Sequence, residues 1–573
     1  MDIITLSNKG GNTAMRKKNF LAFLVIAFLA VMAACSSDDK VEEEAAGDEA
    51  AESEKTGDLT IGTMAEMVTT DPHGSNDSAS RQVRANIYET LVFQDVDMSL
   101  SPGLATEYEQ VDETTWNFKL REGTTFHNGE DFTAEDVVAT FDRVQDDAMA
   151  SPVLFLFEMI EEIEVVSDYE INIHTSIPFA PLASHLAHNT GGIISKATID
   201  ADYQAALDAA ESDVTLEEYY ELREAGGDEY DAVKEEISEH LGTVVANEPN
   251  GTNHLKFVSR SAGDEVVLEK FEDFQGGDRY FENVTFKVIP ENGARMAELE
   301  TGGIQVATDV DSTNMERVEN GADTAVTATD SVRMSYLGFN INKEPFNDMK
   351  VRQAISYAID REEIVAGVYD DMGIPAKGPL APDVWGYSED LEGQEYNIEK
   401  AKEILAETDV ADGFDTTIWV NDDQQIIDTA VYIQSELAEL NINVEIEQFE
   451  WGAYLETLAQ GNHEMFILGW TTVTGDADYG LYALFHSKNQ GAAGNRVFYD
   501  NPEVDELLDA GRAEVDEDAR QQIYTDIENI LVEESPSAYL FHAQFAAGYN
   551  ETAVSGIEVD PAGGLHFKDV RFK

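Results

Sequence analysis

The chain has 573 residues, with 114 Asp or Glu against 36 Lys or Arg, a formal net charge of −78 and a hydrophobic fraction of 43%. That length exceeds one ordinary core and predicts at least two folded lobes. So acidic a surface repels phosphate backbones and excludes nucleic acid as a partner. Most of the acid reads as a solvated surface whose self-repulsion needs screening ions, so a salty or alkaline habitat is expected.

Residues 1–34 read as a signal peptide. Arg16, Lys17 and Lys18 form its basic stretch, with Met15 as the expected start, and residues 20–31 form an apolar run too short to span a bilayer comfortably. Cys35 is the only cysteine, which excludes intrachain disulfides and CxxC sites. The stretch "VMAAC" resembles the bacterial lipobox, with Met32 where leucine is usual. The resemblance implies cleavage before Cys35 and lipid on its sulfur, with several acyl chains giving a stable anchor. Residues 36–57 hold nine acids, two lysines and no aromatic residue, so residues 35–57 are expected to be a lipidated cysteine followed by an extended acidic tether.

The folded body is expected to start at the strand-like Leu59–Gly62. "TTWNFKLREG" places Trp116, Phe118 and Leu120 on one face of a strand that turns at Gly123. Asn128-Gly129 reads as a turn. Thr133 is a helix cap, with Asp136 in the first turn and Val137, Val138, Phe141 and Val144 at helical spacing. Residues 198–242 carry fifteen acids and two basic residues and read as an acidic helical insertion on the surface. Asp348 precedes a helix carrying Val351, Ile355, Ile359 and Ile364. Ile442, Val444 and Ile446 alternate as a strand. "EMFILGW", residues 464–470, is a continuous apolar run, as in a buried strand.

The stretch "LGWTTVTGDADYGLYALFHS", residues 468–487, follows at that strand's carboxyl end, where open α/β sheets place ligands. It sets Trp470 and Tyr479 beside Asp476 and Asp478. Two uses are open: a ligand clamp, or an acid/base pair in an anchored hydrolase. The sequence lacks a Walker A loop, a GxSxG elbow and a GxGxxG after a strand. "HEMFI" at His463 has Ile467 where a zinc protease has its second histidine. No metal or cofactor is therefore expected.

Several stretches together resemble one family. "NIYETLVFQD", "WNFKLREGTTFHNGEDFTAEDVVATFDR", "ENVTFKVIPENGARMAELETGGIQVA" and "YLGFNINKEPFNDMKVRQAISYAIDREEIV" are similar to the extracellular solute-binding proteins, family 5, of peptide-type ABC importers. The resemblance covers nearly all of residues 58–573. "GWTTVTGDADYGLYALF" and "GNRVFYDNPEVDELL" are most similar to its glutathione-binding branch. The resemblance implies an α/β, two-lobe, periplasmic-binding-protein-like fold of type II, of the large peptide-binding class, with hinge strands. It implies lobe I over 58–328 plus 537–573, containing the insertion 198–242, and lobe II over 329–536, with crossings near 325–334 and 533–540. It also implies no chemistry on the ligand. A monomer held on the extracellular face of the cell membrane by its lipid would capture glutathione or short peptides and deliver them to ABC permease subunits. A nickel or haem-type binder of the same family is the other reading.

The implied site follows. Trp451, Trp470 and Tyr479 are expected as apolar walls. Asp476 or Asp478 would meet an ammonium, because Val473 stands where peptide binders carry an aspartate. Arg333 and Arg496 would meet carboxylates. Core packing for the tryptophans and surface pairing for the arginines are the ordinary readings.

Overall fold

The structure is a computed structural model that describes residues 55–492 and 494–573. The signal peptide, Cys35 and the tether up to residue 54 lie outside the described residues.

Among the described residues an 11-stranded sheet forms the backbone of the fold. From one edge its strands are Asn443–Gln448, Asp415–Val420, Met465–Thr471, Thr324–Phe339, Ser537–Asn550, Val306–Ala307, Gly57–Thr63, Phe281–Val288, Glu265–Lys270 and Leu255–Ser261, with Gly373–Pro375 also paired to Ser537–Asn550. The central pair, Thr324–Phe339 with Ser537–Asn550, is antiparallel from Thr324↔Asn550 to Gly338↔Ser537. Its register shifts between Asp330 and Met334 and again between Ser335 and Tyr336. One apolar core packs Leu59, Ile61, Phe281 and Val284 with Tyr203 and Ile237. Another packs Leu337, Ile355, Ile418, Ile433, Met465 and Leu540. A third draws Phe118, Phe141 and Phe157 together with Trp470, Tyr482 and Tyr524.

Local signals produce several of these elements as expected. The strand Thr115–Leu120 buries Phe118 and Leu120 and pairs with Ala105–Gln110 and Glu170–Thr175. Gly123 and Gly129 have φ of 74° and 88°, the left-handed region a turn needs. The helix Ala134–Val144 starts where Asp136 accepts a hydrogen bond from the Thr133 N–H at 2.8 Å. The run at 464–470 becomes the strand Met465–Thr471.

Two expectations need correction. Residues 349–368 are two helices, Met349–Ala358 and Arg361–Val368. Ile359 is extended, and Asp360 caps a fresh helix by accepting from the N–H groups of Glu362 and Glu363. The insertion is helical, with Lys196–Ala209, Leu216–Ala225 and Asp228–Ile237, but it is more than a surface arm. Tyr203, Tyr219 and Tyr230 each donate a hydrogen bond to the buried Asp146 carboxylate, at 2.6, 2.8 and 2.6 Å. Asp202 and Asp71 flank the fully buried Arg143 at 3.1 and 2.7 Å. Buried polar groups thus fix the insertion in place. Among the described residues no helix is long and apolar enough to cross a membrane.

Candidate functional site

The strand Met465–Thr471 lies antiparallel to Thr324–Phe339, with Met334 opposite Trp470, Ser335 opposite Gly469 and Arg333 opposite Thr471. The Arg333 guanidinium lies over Gly469, in the space a Cβ there would occupy. After Thr471 the chain turns through Gly475, at φ 70°, into the helix Ala477–Phe485. Asp476 caps that helix by accepting from the Asp478 N–H at 2.9 Å.

Both aspartates are already engaged inside the protein. Arg520 makes a bidentate pair with Asp476, at 2.8 Å to Oδ2 and 2.7 Å to Oδ1, and stacks on Trp385. Asp478 is 0% exposed. It takes Arg512 Nε on Oδ1 at 2.9 Å and Arg512 Nη2 on Oδ2 at 3.2 Å, with His185 Nε2 at 3.1 Å from Oδ2. Burial alone would raise the Asp478 carboxyl, but Arg512 and His185 outweigh it and hold it well below the usual range. Neither carboxylate lines the cavity of about 700 Å³ or the cavity of about 80 Å³ described below. The geometry therefore corrects the expected roles of Asp476 and Asp478, both as ammonium clamp and as hydrolytic acid/base pair. The arginines that claim them lie 44 and 34 residues further along.

The other five expected residues meet. Arg333, Trp451, Trp470, Tyr479 and Arg496 line one small cavity of about 80 Å³, together with Val473 and His188. The Tyr479 ring lies 5.2 Å from Trp470 and 5.2 Å from His188, and its hydroxyl meets the Asn76 side chain at 3.1 Å. Trp451 opens the helix Trp451–Ala459. Arg496 is only 9% exposed and has no carboxylate partner among the described residues; its Nη2 reaches the Ala492 carbonyl at 3.4 Å, and its Nε has no partner among them. Burial pulls Arg496 below the ordinary guanidinium value, with Tyr336 and Tyr454 opposing. A buried, unpaired cation in a chain of net charge −78 is a costly arrangement unless an anion arrives from outside.

A cavity of about 700 Å³ adjoins it and shares Arg81, Arg333 and Trp451. Its walls carry acid, with Asp311 and Asp423 each capping a helix. Both carboxylates use Oδ1 for the cap. Burial raises the Asp423 carboxyl, while its cap N–H groups and Arg333 lower it. Sequence reasoning missed His188, Arg81 and these aspartates. His188 stands 282 positions before Trp470 in the chain, and no local pattern ties it to a cavity. Among the described residues no group of three or more His, Cys, Asp or Glu is placed to hold a metal ion.

The two cavities beside the paired central strands define a protein built to hold a solute. Residues 99–492, more than half of the chain, match the model of the bacterial extracellular solute-binding proteins, family 5 (middle region). The chain belongs to this family, and it is a substrate-binding protein of the ABC-importer class with the type II periplasmic-binding-protein fold. It is similar to the glutathione-binding protein GsiB of Pectobacterium atrosepticum, 28% identical over 521 residues, covering 89% of this chain and 93% of the relative. It is also similar to the dipeptide-binding protein of Escherichia coli, 26% identical over 513 residues, covering 84% and 88%. Among solved structures, DppA of Helicobacter pylori in complex with the peptide STSA has a TM-score of 0.78 at 27% identity, covering 91% of this chain and 98% of that one. The oligopeptide-binding protein AppA of Bacillus subtilis, in complex with a nonapeptide, has a TM-score of 0.78 at 25% identity, covering 91% and 99%.

Proposed function

We propose that the protein captures short peptides, glutathione among them, outside the cell and hands them to ABC permease subunits, without chemistry on the ligand. The observation that carries this reading is the convergence of Arg333, Trp451, Trp470, Tyr479 and Arg496 on one cavity. Aromatic walls hold a flexible chain at low entropic cost, and guanidinium groups suit its carboxylate. The ammonium then falls to the acidic walls of the larger cavity, at Asp423 and Asp311, in place of Asp476 and Asp478. The similarity to a glutathione-binding and a dipeptide-binding protein supports the class of ligand.

In this reading lobes of residues 58–328 plus 537–573 and 329–536 close over the ligand, and lipid on Cys35 tethers a monomer to the extracellular face of the membrane. Calorimetry with glutathione and di- to pentapeptides tests the ligand. Saturable binding is expected; no heat with any of them overturns the reading. Cys35→Ser tests the tether, and a variant still carrying lipid would end that part of the proposal.

A further inference from the structure

The helix Ala477–Phe485 carries Tyr479 on the small cavity and is gripped by side chains from far earlier in the chain. The Tyr479 hydroxyl meets the Asn76 amide, at 3.1 Å from Nδ2 and 3.2 Å from Oδ1. Three residues on, the Tyr482 hydroxyl donates to Glu158 Oε1 at 3.1 Å. Arg512, on the helix Pro502–Ala513, donates through Nη1 to the same oxygen at 3.1 Å and through Nη2 to the Phe155 carbonyl at 3.0 Å. Its own carbonyl accepts the Ala180 N–H at 3.4 Å. Its guanidinium lies 3.3 Å from the centre of the Tyr482 ring. In the two-lobe division proposed above, Asn76, Phe155, Glu158 and Ala180 belong to one lobe, and Tyr479, Tyr482 and Arg512 to the other.

These contacts can part without stranding a charge. A buried guanidinium bonded only across a gap would be left uncompensated when the gap opened. Arg512 instead keeps Asp478, a partner in its own lobe at 2.9 Å. The Glu158 side chain is 26% exposed against 1% for Arg512, so its carboxylate already reaches water on one side. Opening would leave the Arg512–Asp478 pair whole and exchange only the Glu158 half of the fork for water. Lys488 Nζ stands 3.9 Å from Glu158 Oε2 on an exposed stem and adds little.

We infer that Glu158 is a positioning residue for ligand capture: with Tyr482 and Arg512 it forms a clasp that favours the closed arrangement of the lobes and seats Tyr479 beside the ligand. This rests on the two-lobe reading above and deepens it. Glu158 itself lines neither the small nor the large cavity, so it acts through the helix Ala477–Phe485 and not on the ligand. A closed state favoured before binding reduces the conformational cost of binding. Affinity then rises by one factor, the same for every ligand that binds the closed state. A residue in contact with the ligand would instead discriminate between ligands.

Hydrogen exchange and calorimetry on the full chain test the clasp. The Ala180 amide reports on it directly, because its hydrogen bond crosses to Arg512. In the ligand-free parent this amide is expected to be protected. Glu158→Gln keeps the shape and removes the charge. It should speed Ala180 exchange several-fold and leave the amides of the central strand Thr324–Phe339 unchanged. Tyr482→Phe removes the other donor and should act in the same direction; the two changes together should add less than their sum, since both work through one carboxylate. In calorimetry, Glu158→Gln should weaken glutathione and each of a set of di- to pentapeptides by one common factor, several-fold. Four results overturn the clasp: an unprotected Ala180 amide in the ligand-free parent, Ala180 exchange that neither variant changes, equal acceleration of Ala180 and the central strand, or affinities that are unchanged or fall unequally. If the exchange result holds while no peptide binds, the clasp stands and the peptide reading falls.

Discussion

Asp478 and Arg512 form an ion pair sealed from solvent, with Nε 2.9 Å from Oδ1 and both side chains at most 1% exposed. Breaking such a pair strands the other charge in the interior. Asp478→Asn is therefore expected to destabilise the protein by about 3–5 kcal/mol, read as a lower melting temperature, while ligand affinity in the surviving folded protein is unchanged. Asp476→Asn keeps a good helix cap and loses the charge facing Arg520, so a smaller loss of about 1–3 kcal/mol is expected. The pH dependence has a definite sign. The folded Asp478 carboxyl lies below its ordinary 3.8, so its stabilisation is present above that value and lost as pH falls through the depressed one. Acid melts of the parent should show this limb, and those of Asp478→Asn should not. Ligand binding that collapses in either variant, with the melting temperature intact, would return the aspartates to the binding site.

Arg496 presents the opposite profile. It is buried without a carboxylate among the described residues, so Arg496→Gln removes a desolvated cation and is expected to leave the ligand-free melting temperature unchanged or raised. Its loss should weaken binding of an anionic ligand by about 2–5 kcal/mol. Thermal shift with and without ligand separates the two effects. A variant that melts earlier and still binds normally would make Arg496 a structural residue.

Glu528 couples the fold to alkaline pH. Burial raises its carboxyl from 4.5 to about 8, partly offset by the N–H groups of Ser388 and Leu380, and Oε1 has no partner. The protonated form is favoured in the fold. Its stabilisation is full below the ordinary value and is lost as pH rises through about 8. Glu528→Gln mimics the protonated form, so its melting temperature should decline less between neutral pH and the alkaline range. Parallel pH profiles for the two proteins would remove Glu528 as the cause.

A net charge of −78 makes salt a stabiliser through screening. The melting temperature is expected to rise from low to molar salt. Association with an anionic ligand should also speed up over the first part of that range, since the field around the protein repels it. A flat or falling melting curve against salt would show that the acid is compensated locally.

Lobe closure has a solution signature. A ligand held between two lobes favours the closed state by its contacts to both, so X-ray scattering should give a smaller radius of gyration at saturating ligand. An unchanged radius, with calorimetry showing full occupancy, would mean that the cavity is preformed and the central strands do not bend.

What the sequence determined by itself was local. Alternation at Thr115–Leu120, the apolar run at Met465–Thr471 and the Thr133–Asp136 cap are settled within a few residues, by burial of one face and by the first unpaired N–H groups of a helix. The same reasoning joined residues 349–368 into one helix, because isoleucine spacing continues past Ile359 while the cap at Asp360 competes only once the chain bends there. Trp451, Trp470, Tyr479, Arg333 and Arg496 were singled out as candidates through motifs, and all five line one cavity. The fate of Asp476 and Asp478 was not legible. A carboxylate beside an aromatic looks alike whether it faces a ligand or an arginine. Only tertiary packing brings Arg512 and Arg520 onto the two aspartates and His188 next to Tyr479. Long-range electrostatic partners depend on where the chain returns, which no short stretch of sequence encodes.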